Sequence, residues 1–358
     1  MQSRSTRSRQ DARRRPSSSL RLLTFCTKDL DACARAIHDA ARAAGIVVHH
    51  FENEVWLPVC RRHYPHLLRP PDDNWGQGEK DRAAKVRRSA AHGWYGWKAW
   101  ALCQVLDDCA DGSLLLYTDV DTRRYPLIIE TFTDTDVRAA CEEMLAALGD
   151  FACPTNNVFR QGAMCKRLCL EAMGADSAPY RDALQNQTSW FVCRVGPQAR
   201  RIAREWLRWS VDPRGLSTGE PSPGGEHSQF VVHRHDQAVL TNVLLRELHE
   251  GRLPTPRPYA NARYLSATIA EHRGLPYDMR ERLLRLARRG DAFAVERVLL
   301  NAWATPGDRA SAVRGAVAQL VEGVEDGSRR TSVVEAVRRA LHGAPPEVVG
   351  AASTVLNR

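Results

Sequence analysis

Two aspartates, Asp119 and Asp121, have the residue type and spacing that most directly suggest chemistry in this sequence. They follow the apolar run 114–117, which is typical of a buried β-strand. Side chains alternate along an extended chain, so carboxylates two positions apart lie on the same face. Such oxygen ligands suit Mg²⁺ or Mn²⁺, which proteins usually hold with a few carboxylates and substrate phosphates. The pair predicts a divalent metal site at a strand end, where open α/β sheets bind ligands; the alternative is a solvated loop.

The same strand end admits a second chemistry. Asp119, Asp121 and Thr122 approach the Asp-x-Asp-x-Thr pattern of haloacid-dehalogenase-type phosphatases. There the first aspartate attacks phosphorus and the second acts as general acid. In this chain the threonine stands one place early, a βαβ-like unit precedes the motif, and no later strand ends in an Asp-Asp pair for Mg²⁺. A Mg-dependent phosphatase with Asp119 as nucleophile is therefore the weaker hypothesis.

An aromatic cluster with one cation precedes this strand and consists of Trp94, Tyr95, Trp97 and Lys98. Aromatic rings stack on flat partners, and both sugar faces and uracil rings are flat. Lys98 could balance the charge of a diphosphate. Ordinary core packing would explain two of these rings equally well.

The order of these motifs resembles a family of glycosyltransferases found in bacteria, algae and large viruses. That family carries a Gly-Tyr-Trp-x-Trp-Lys-Pro segment, then a helix, then a strand ending in Tyr-x-Asp-x-Asp. The matching residues are Gly93, Trp97, Lys98, Tyr117, Asp119 and Asp121. The departures are Trp94-Tyr95 in place of Tyr-Trp and Ala99 in place of proline.

Later segments extend this resemblance over roughly residues 20–275. The segment 185–189 (Gln-x-Gln-x-Ser) is similar to the family's Gln-x-x-Ala-Ser, and 233–237 reads His-Arg-His-Asp-Gln as the family does. An Asp-Gln pair at a helix start is also similar to the family-8 retaining enzymes, where it faces the donor sugar. The resemblance implies a GT-A fold, a nucleotide-sugar donor that is UDP-linked, and an acceptor hydroxyl.

It also implies roles for individual residues. Donor binding would use Trp97, Lys98, Tyr117, Asp119 and Gln187; the metal ligands would be Asp119, Asp121 and His272; the catalytic residues would be Asp236 and Gln237. For His272 a plain surface histidine is the simpler interpretation. Asp236 could instead cap its helix for ~1 kcal/mol, or serve as the base of an inverting reaction. The sequence does not decide between retention and inversion.

The elements that would position these residues follow an α/β pattern. A strand at 22–26, a helix at 30–44 ended by Gly45 and a strand at 46–48 predict a βαβ unit with parallel strands. Further predicted elements are strands at 113–118, 151–153 and 188–194 and helices ending near 109 and spanning 136–148, 162–173, 197–209 and 235–250. The loop 211–229, rich in Pro, Gly and Ser, is of a length that is usually functional and often lid-like. We therefore expect a Rossmann-like (GT-A) mixed sheet covered by helices.

The predicted organisation has three parts: a tail at 1–19, a catalytic domain at 20–274 and a helical region at 275–358. The tail carries +5 of the net charge of +9 and almost no apolar residues, so it should be disordered. Because the basic residues concentrate there, a nucleic-acid binder, which needs them on a folded face, is not expected.

Ten cysteines lie mostly within apolar runs, and none forms a C-x-x-C pair. They predict reduced, buried, structural thiols, which favours a cytoplasmic protein and argues against a zinc site. No run approaches the ~20 apolar residues of a membrane span, and the N-terminus has no apolar signal core. The Arg/Ser-rich tail leaves a targeting role open.

Overall fold

A computed structural model describes most of the chain. The described residues are 19–69, 90–121, 136–153, 155–218, 222–230, 232–254, 290–304, 309–322, 326–342 and 346–356, with single positions at 132, 284, 287, 288 and 324. His272, the proposed boundary at 274–275 and all of the tail except Ser19 lie outside them.

The described strands form two sheets. Their bounds are β1 (Leu20–Cys26), β2 (Val47–Glu52), β3 (Leu114–Thr118), β4 (Phe151–Ala152), β5 (Thr155–Arg160), β6 (Leu184–Asn186) and β7 (Trp190–Arg194). The main sheet has the order β2-β1-β3-β7-β4, and β5 pairs with β6 in a separate ribbon. Strand β1 runs parallel to β2 and β3, whereas β7 runs antiparallel to β3 and β4. The sheet is therefore mixed, as the sequence predicts.

Helices surround this sheet in the α/β region, which we define as residues 20–254. They are α1 (Asp31–Ala43), α2 (Asn53–His63), α3 (Gly96–Asp108), α4 (Val137–Leu148), α5 (Gln161–Met164), α6 (Arg167–Ala172), α7 (Ala178–Arg181), α8 (Pro197–Ser210) and α9 (His235–His249). Helix α1 links parallel strands β1 and β2, which confirms the βαβ opening. No pattern in the sequence predicts α2, β5 or β6, and β2 runs four residues beyond the strand expected at 46–48.

The two faces of the sheet are covered by separate cores because side chains alternate along each strand. Leu115 and Tyr117 of β3 pack with residues of α2, α3, α8 and α9. Leu114 and Leu116 pack with residues of α1 and α4. A sheet covered on both faces explains why β3 is buried along its whole length and apolar up to Tyr117.

The single helix expected at 162–173 is wrong: the chain forms α5 and α6, separated at Cys165 and Lys166. Lys166 has extended backbone angles, and its buried ammonium donates to the carbonyl oxygens of Gly215 and Thr218. These tertiary bonds turn the chain where helical periodicity alone predicts continuation.

The Lys166 bonds and two further hydrogen bonds hold the described part of the loop after α8. His235 Nδ1 donates to the carbonyl oxygen of Ser217 at 2.8 Å, and Glu226 accepts the N–H of Arg167 at 2.7 Å. The segment 215–218 is thus attached to the elements around the start of α9.

The C-terminal helices are α10 (Ala292–Ala304), α11 (Arg309–Val321), α12 (Gly327–Ala340) and α13 (Pro346–Leu356). Helix α10 packs on α11 and α12, and α11 packs on α13 and, less extensively, on α12, so α10 and α11 form the centre of this group. Their core is a separate cluster of Val, Ala and Leu side chains, which Met164 of α5 joins from the α/β region.

All ten cysteines are free thiols, and all but the half-buried Cys33 are buried, which confirms that part of the prediction. Burial raises the pKa of the Cys60 and Cys103 thiols to about 12. Within the described residues, no helix has the length and apolar character to cross a membrane.

Candidate active site at the carboxyl ends of strands β1 and β3

The sheet changes its winding direction beside β1. The chain passes from β1 to β2 on one side and then returns to β3 on the other side. Open α/β sheets bind ligands at the carboxyl ends of two strands that flank such a switch point. Asp119 follows β3 directly, and its N–H donates to the carbonyl oxygen of Ser189 at 2.7 Å. This edge is where the predicted motifs meet.

Lys98 lies at the centre of the edge and is almost completely buried. Its Nζ is 3.0 Å from Oδ1 of Asp119 and 3.5 Å from Oδ2 of Asp236, and it donates to the carbonyl oxygen of Thr188 at 3.1 Å. Three motifs that are far apart in the sequence thus meet at one ammonium group. Two carboxylates around one cation leave a net charge of −1 if all are ionised.

The pKa values of this group reflect a balance of burial and pairing. Burial alone would lower the pKa of Lys98, but the Asp119 and Asp236 carboxylates outweigh it and raise that pKa. Burial raises the pKa of Asp236, and Lys98 and Thr188 offset this only in part. Lys98 therefore keeps its charge, and Asp236 is the group that binds a proton more readily than an ordinary aspartate.

Asp236 does not cap its helix. The N-cap of α9 is Arg234, without a side-chain cap, and Asp236 is the second residue of the helix. Its Oδ2 accepts a 2.8 Å hydrogen bond from Thr188 Oγ1 in addition to its contact with Lys98. The capping alternative for Asp236 is therefore wrong, and the side chain reaches across to the sheet edge.

The two proposed metal ligands that the structure describes, Asp119 and Asp121, both remain partly exposed at this edge. Oδ1 of Asp119 accepts hydrogen bonds from the Tyr117 hydroxyl at 2.6 Å and from Lys98, while the side chain stays 28% exposed. Asp121 is also partly exposed. Among the described residues, no group of three or more His, Cys, Asp or Glu side chains could hold an ion. Proteins usually bind Mg²⁺ through one or two carboxylates, while water and substrate phosphate oxygens complete the coordination.

The aromatic residues that were expected to bind the donor lie mainly in the core. Trp97 stacks on Phe25 with ring centroids 3.9 Å apart, and Tyr117 stacks on Phe191 at 4.8 Å. The Lys98 ammonium lies 5.4 to 5.9 Å from the ring centroids of Tyr95, Trp97 and Tyr117, within the range of cation–π attraction. These rings therefore support Lys98 and Asp119 directly. Gln187, the other expected donor-binding residue, is buried, and its carbonyl oxygen accepts from the Cys153 thiol.

Backbone strain is concentrated beside this group. Among the described residues, the non-glycine residues with left-handed backbone are Trp94, Tyr95 and His235, with φ of 51°, 68° and 48°. The His235 ring stacks on Tyr95 at 5.6 Å and contacts Trp94 at 5.1 Å. Such conformations cost about 1–3 kcal/mol each and tend to cluster at functional sites.

Sequence reasoning gave roles to Lys98, Asp119 and Asp236; it placed Tyr95 and His235 within motifs without giving either a specific role, and it missed Thr188. Nothing in the local sequence marks a tryptophan, a tyrosine or a histidine as left-handed. Comparison of the chain with known protein families, curated proteins and solved structures finds no match.

Proposed function

We propose that this protein is a metal-dependent glycosyltransferase of the GT-A type, which moves a hexose from a nucleotide diphosphate sugar, UDP-linked, to an acceptor hydroxyl. The observation that carries the proposal is the buried Lys98 between Asp119 and Asp236 at the switch point of the sheet. These three residues belong to separate motifs of the sequence that resembles nucleotide-sugar enzymes, and in the structure their side chains are in contact. The free, buried cysteines suit a reducing compartment such as the cytoplasm.

In this proposal each polar side chain of the site has a separate role. Asp119 and Asp121 would hold Mn²⁺ or Mg²⁺, which supplies charge stabilisation for the departing diphosphate when bound. Lys98 holds Asp119 in place from the protein side. Asp236, with its raised pKa and its bond from Thr188, accepts a hydrogen bond from a hydroxyl of the donor sugar or of the acceptor.

The phosphatase hypothesis gains no specific support. A phosphatase of this type needs an Asp-Asp pair at the end of a later strand, and none of the described strands ends in one. Oδ1 of Asp119, the nucleophile that it requires, is bound by Tyr117 and Lys98.

The test is a panel of nucleotide sugars, with release of UDP or GDP measured with and without Mn²⁺. We expect slow Mn²⁺-dependent hydrolysis of a UDP-sugar, and loss of UDP–Mn²⁺ binding by calorimetry in Asp119→Asn and Asp121→Asn. Asp39→Asn is the matched control, since Asp39 is 77% exposed on α1. Unchanged affinity in both site variants would remove the metal site. Hydrolysis of an aryl phosphate with a phosphorylated Asp119 would support the phosphatase instead.

A further inference from the structure

Three buried glutamines form a hydrogen-bonded chain next to Asp236. Gln237 Nε2 donates to Gln185 Oε1 at 2.8 Å, and Gln185 Nε2 donates to Gln161 Oε1 at 3.1 Å. The three side chains are between 0% and 6% exposed. They come from α9, β6 and α5, so the chain joins three elements that meet only in the folded protein. We call this chain the glutamine relay.

A backbone carbonyl fixes the direction of the relay. The two ends of a carboxamide have the same shape, so their order follows from their partners. Gln161 donates to the carbonyl oxygen of Ala238 at 2.7 Å, and a carbonyl can only accept. The nitrogen of Gln161 must therefore lie on that side, and its oxygen must face Gln185.

The same logic passes along the relay. Gln185 has to present its nitrogen to the Gln161 oxygen, and the carbonyl oxygen of Met164 at 3.5 Å favours the same orientation. The oxygen of Gln185 then accepts a hydrogen bond from the nitrogen of Gln237. What remains is Gln237 Oε1, which faces Nη2 of Arg234 at 3.5 Å, a long contact at the limit of a hydrogen bond. The charge of Arg234 also acts on Asp236.

We propose that Gln161 and Gln185 are positioning residues that hold Gln237 with its carboxamide oxygen on the Arg234 side, so that Gln237 acts as a hydrogen-bond acceptor. This rests on the proposed function and deepens it. The Gln237 oxygen and the Asp236 carboxylate are then two acceptors in the first turn of α9, which suit a partner that offers hydroxyl hydrogens. A reversed Gln237 would present N–H groups there and would be matched to an acceptor-rich group instead.

A purely structural role would not need this polarity. Burying amides is unfavourable unless every one is bonded, and apolar side chains of similar size fill a core without that requirement. Asn242 completes the inner end, where its Oδ1 accepts from Gln161 at 2.8 Å. The inner end of the relay is thus bonded to the core, and its other end is the Gln237 oxygen, which faces Arg234 at the start of α9.

The experiment uses Gln161→Met and Gln185→Met in the full chain, with Gln198→Met as the matched control. Gln198 donates to the backbone carbonyl of Arg252, away from the relay. Hydrogen exchange of the Gln237 carboxamide is followed by NMR in protein labelled with ¹⁵N-glutamine, and Gln237→Met identifies its signal. We expect slow exchange in wild type and exchange about tenfold faster or more in Gln161→Met, because the direction of the relay is no longer fixed.

Kinetics with the UDP-sugar found by the panel provide the second readout. We expect kcat to fall about tenfold in both relay variants while calorimetric affinity for UDP and Mn²⁺ stays unchanged. Rapid exchange of the Gln237 amide in wild type would overturn the proposal, even if no variant folds. So would a parallel loss of UDP affinity, kcat and melting temperature, which marks a structural role. If wild type turns over no nucleotide sugar, the proposed function fails, and the exchange experiment still decides whether the relay orients Gln237.

Discussion

The sheet edge around Lys98 and the C-terminal helices bury their side chains by opposite means. In its described part, the C-terminal core contains Val, Ala and Leu side chains together with Met164. The edge buries an ammonium group, a carboxylate and several carboxamides, and it contains strained backbone at Tyr95 and His235. Apolar cores need mainly the right volume and pattern, whereas buried charges are tolerated only when they are paired. The difference supports the proposal that the edge is the functional site, while the helices have a core that contributes stability alone.

Lys98→Met should give the largest effect. It leaves the Asp119 and Asp236 carboxylates without their shared cation, and breaking a buried ion pair costs about 3–5 kcal/mol. We expect a loss of that order in the free energy of unfolding by urea titration, together with loss of UDP–Mn²⁺ binding. Lys28→Met is the stability control, because the Lys28–Glu54 pair is exposed and should contribute less than about 1 kcal/mol. Equal stability losses in the two variants would contradict the paired burial of Lys98.

Leu320→Ala tests the other side of the comparison. Leu320 is fully buried in the C-terminal core, and such a truncation costs about 2–5 kcal/mol. We expect that loss in unfolding free energy while turnover of the folded protein stays within about twofold of wild type. A large fall in kcat at a temperature where the variant is still folded would mean that the helices take part in the chemistry.

Asp236→Asn should affect turnover more than stability. Asparagine keeps the shape and can still accept from Thr188, but it removes the negative charge beside Lys98. We expect kcat to fall by about 10²-fold, equivalent to ~2.7 kcal/mol, with a nearly unchanged melting curve. If the variant keeps more than about half of wild-type turnover, Asp236 leaves the proposed site and the metal pair alone remains.

The smallest effect concerns pH and the other face of the sheet. Burial, with His50 and Arg42 nearby, lowers the pKa of His38 from 6.5 to about 4, while Asp39 acts weakly in the opposite direction. The unfolded chain therefore binds this proton more tightly, so stability should fall as pH drops from about 6.5 to about 4. His38→Gln, which can keep the bond to Thr24, should show a shallower fall in urea midpoint. His342→Gln, at an exposed position just after α12, is the control. If the urea midpoint of His38→Gln falls with pH as steeply as that of wild type, another group controls the acid response.

The sequence predicted best where one local pattern decides the outcome. The apolar run of β3 followed by Asp119, the alanine-rich α1 and the proline at the start of α8 are all found as expected. Members of the candidate site were predictable from the sequence where a motif contains them, as is the case for Lys98 and Asp236. That these two would share a contact follows from the order of the strands, which no local pattern encodes.

The failures share a tertiary cause. The break between α5 and α6 depends on carbonyl groups 49 and 52 residues away from Lys166. The left-handed Tyr95 and His235 are held by each other's rings. Asp236 does not cap its helix, the alternative left open by the sequence, because Thr188 in the segment before β7 binds its carboxylate instead. In each case distant contacts outweighed a sound local preference.

The strand order also has a consequence for how the chain is made. Strand β1 can pair with β2 early in synthesis. Its other edge pairs with β3, where Leu20 lies opposite Leu114. Strand β3 in turn pairs with β7, which begins only at Trp190. At a synthesis rate of ~5–20 residues per second, the stretch from 53 to 113 alone takes several seconds. During that time an apolar strand edge stays open on the ribosome. Translation speed and chaperone capacity should therefore influence the soluble yield of this protein more than its final stability does.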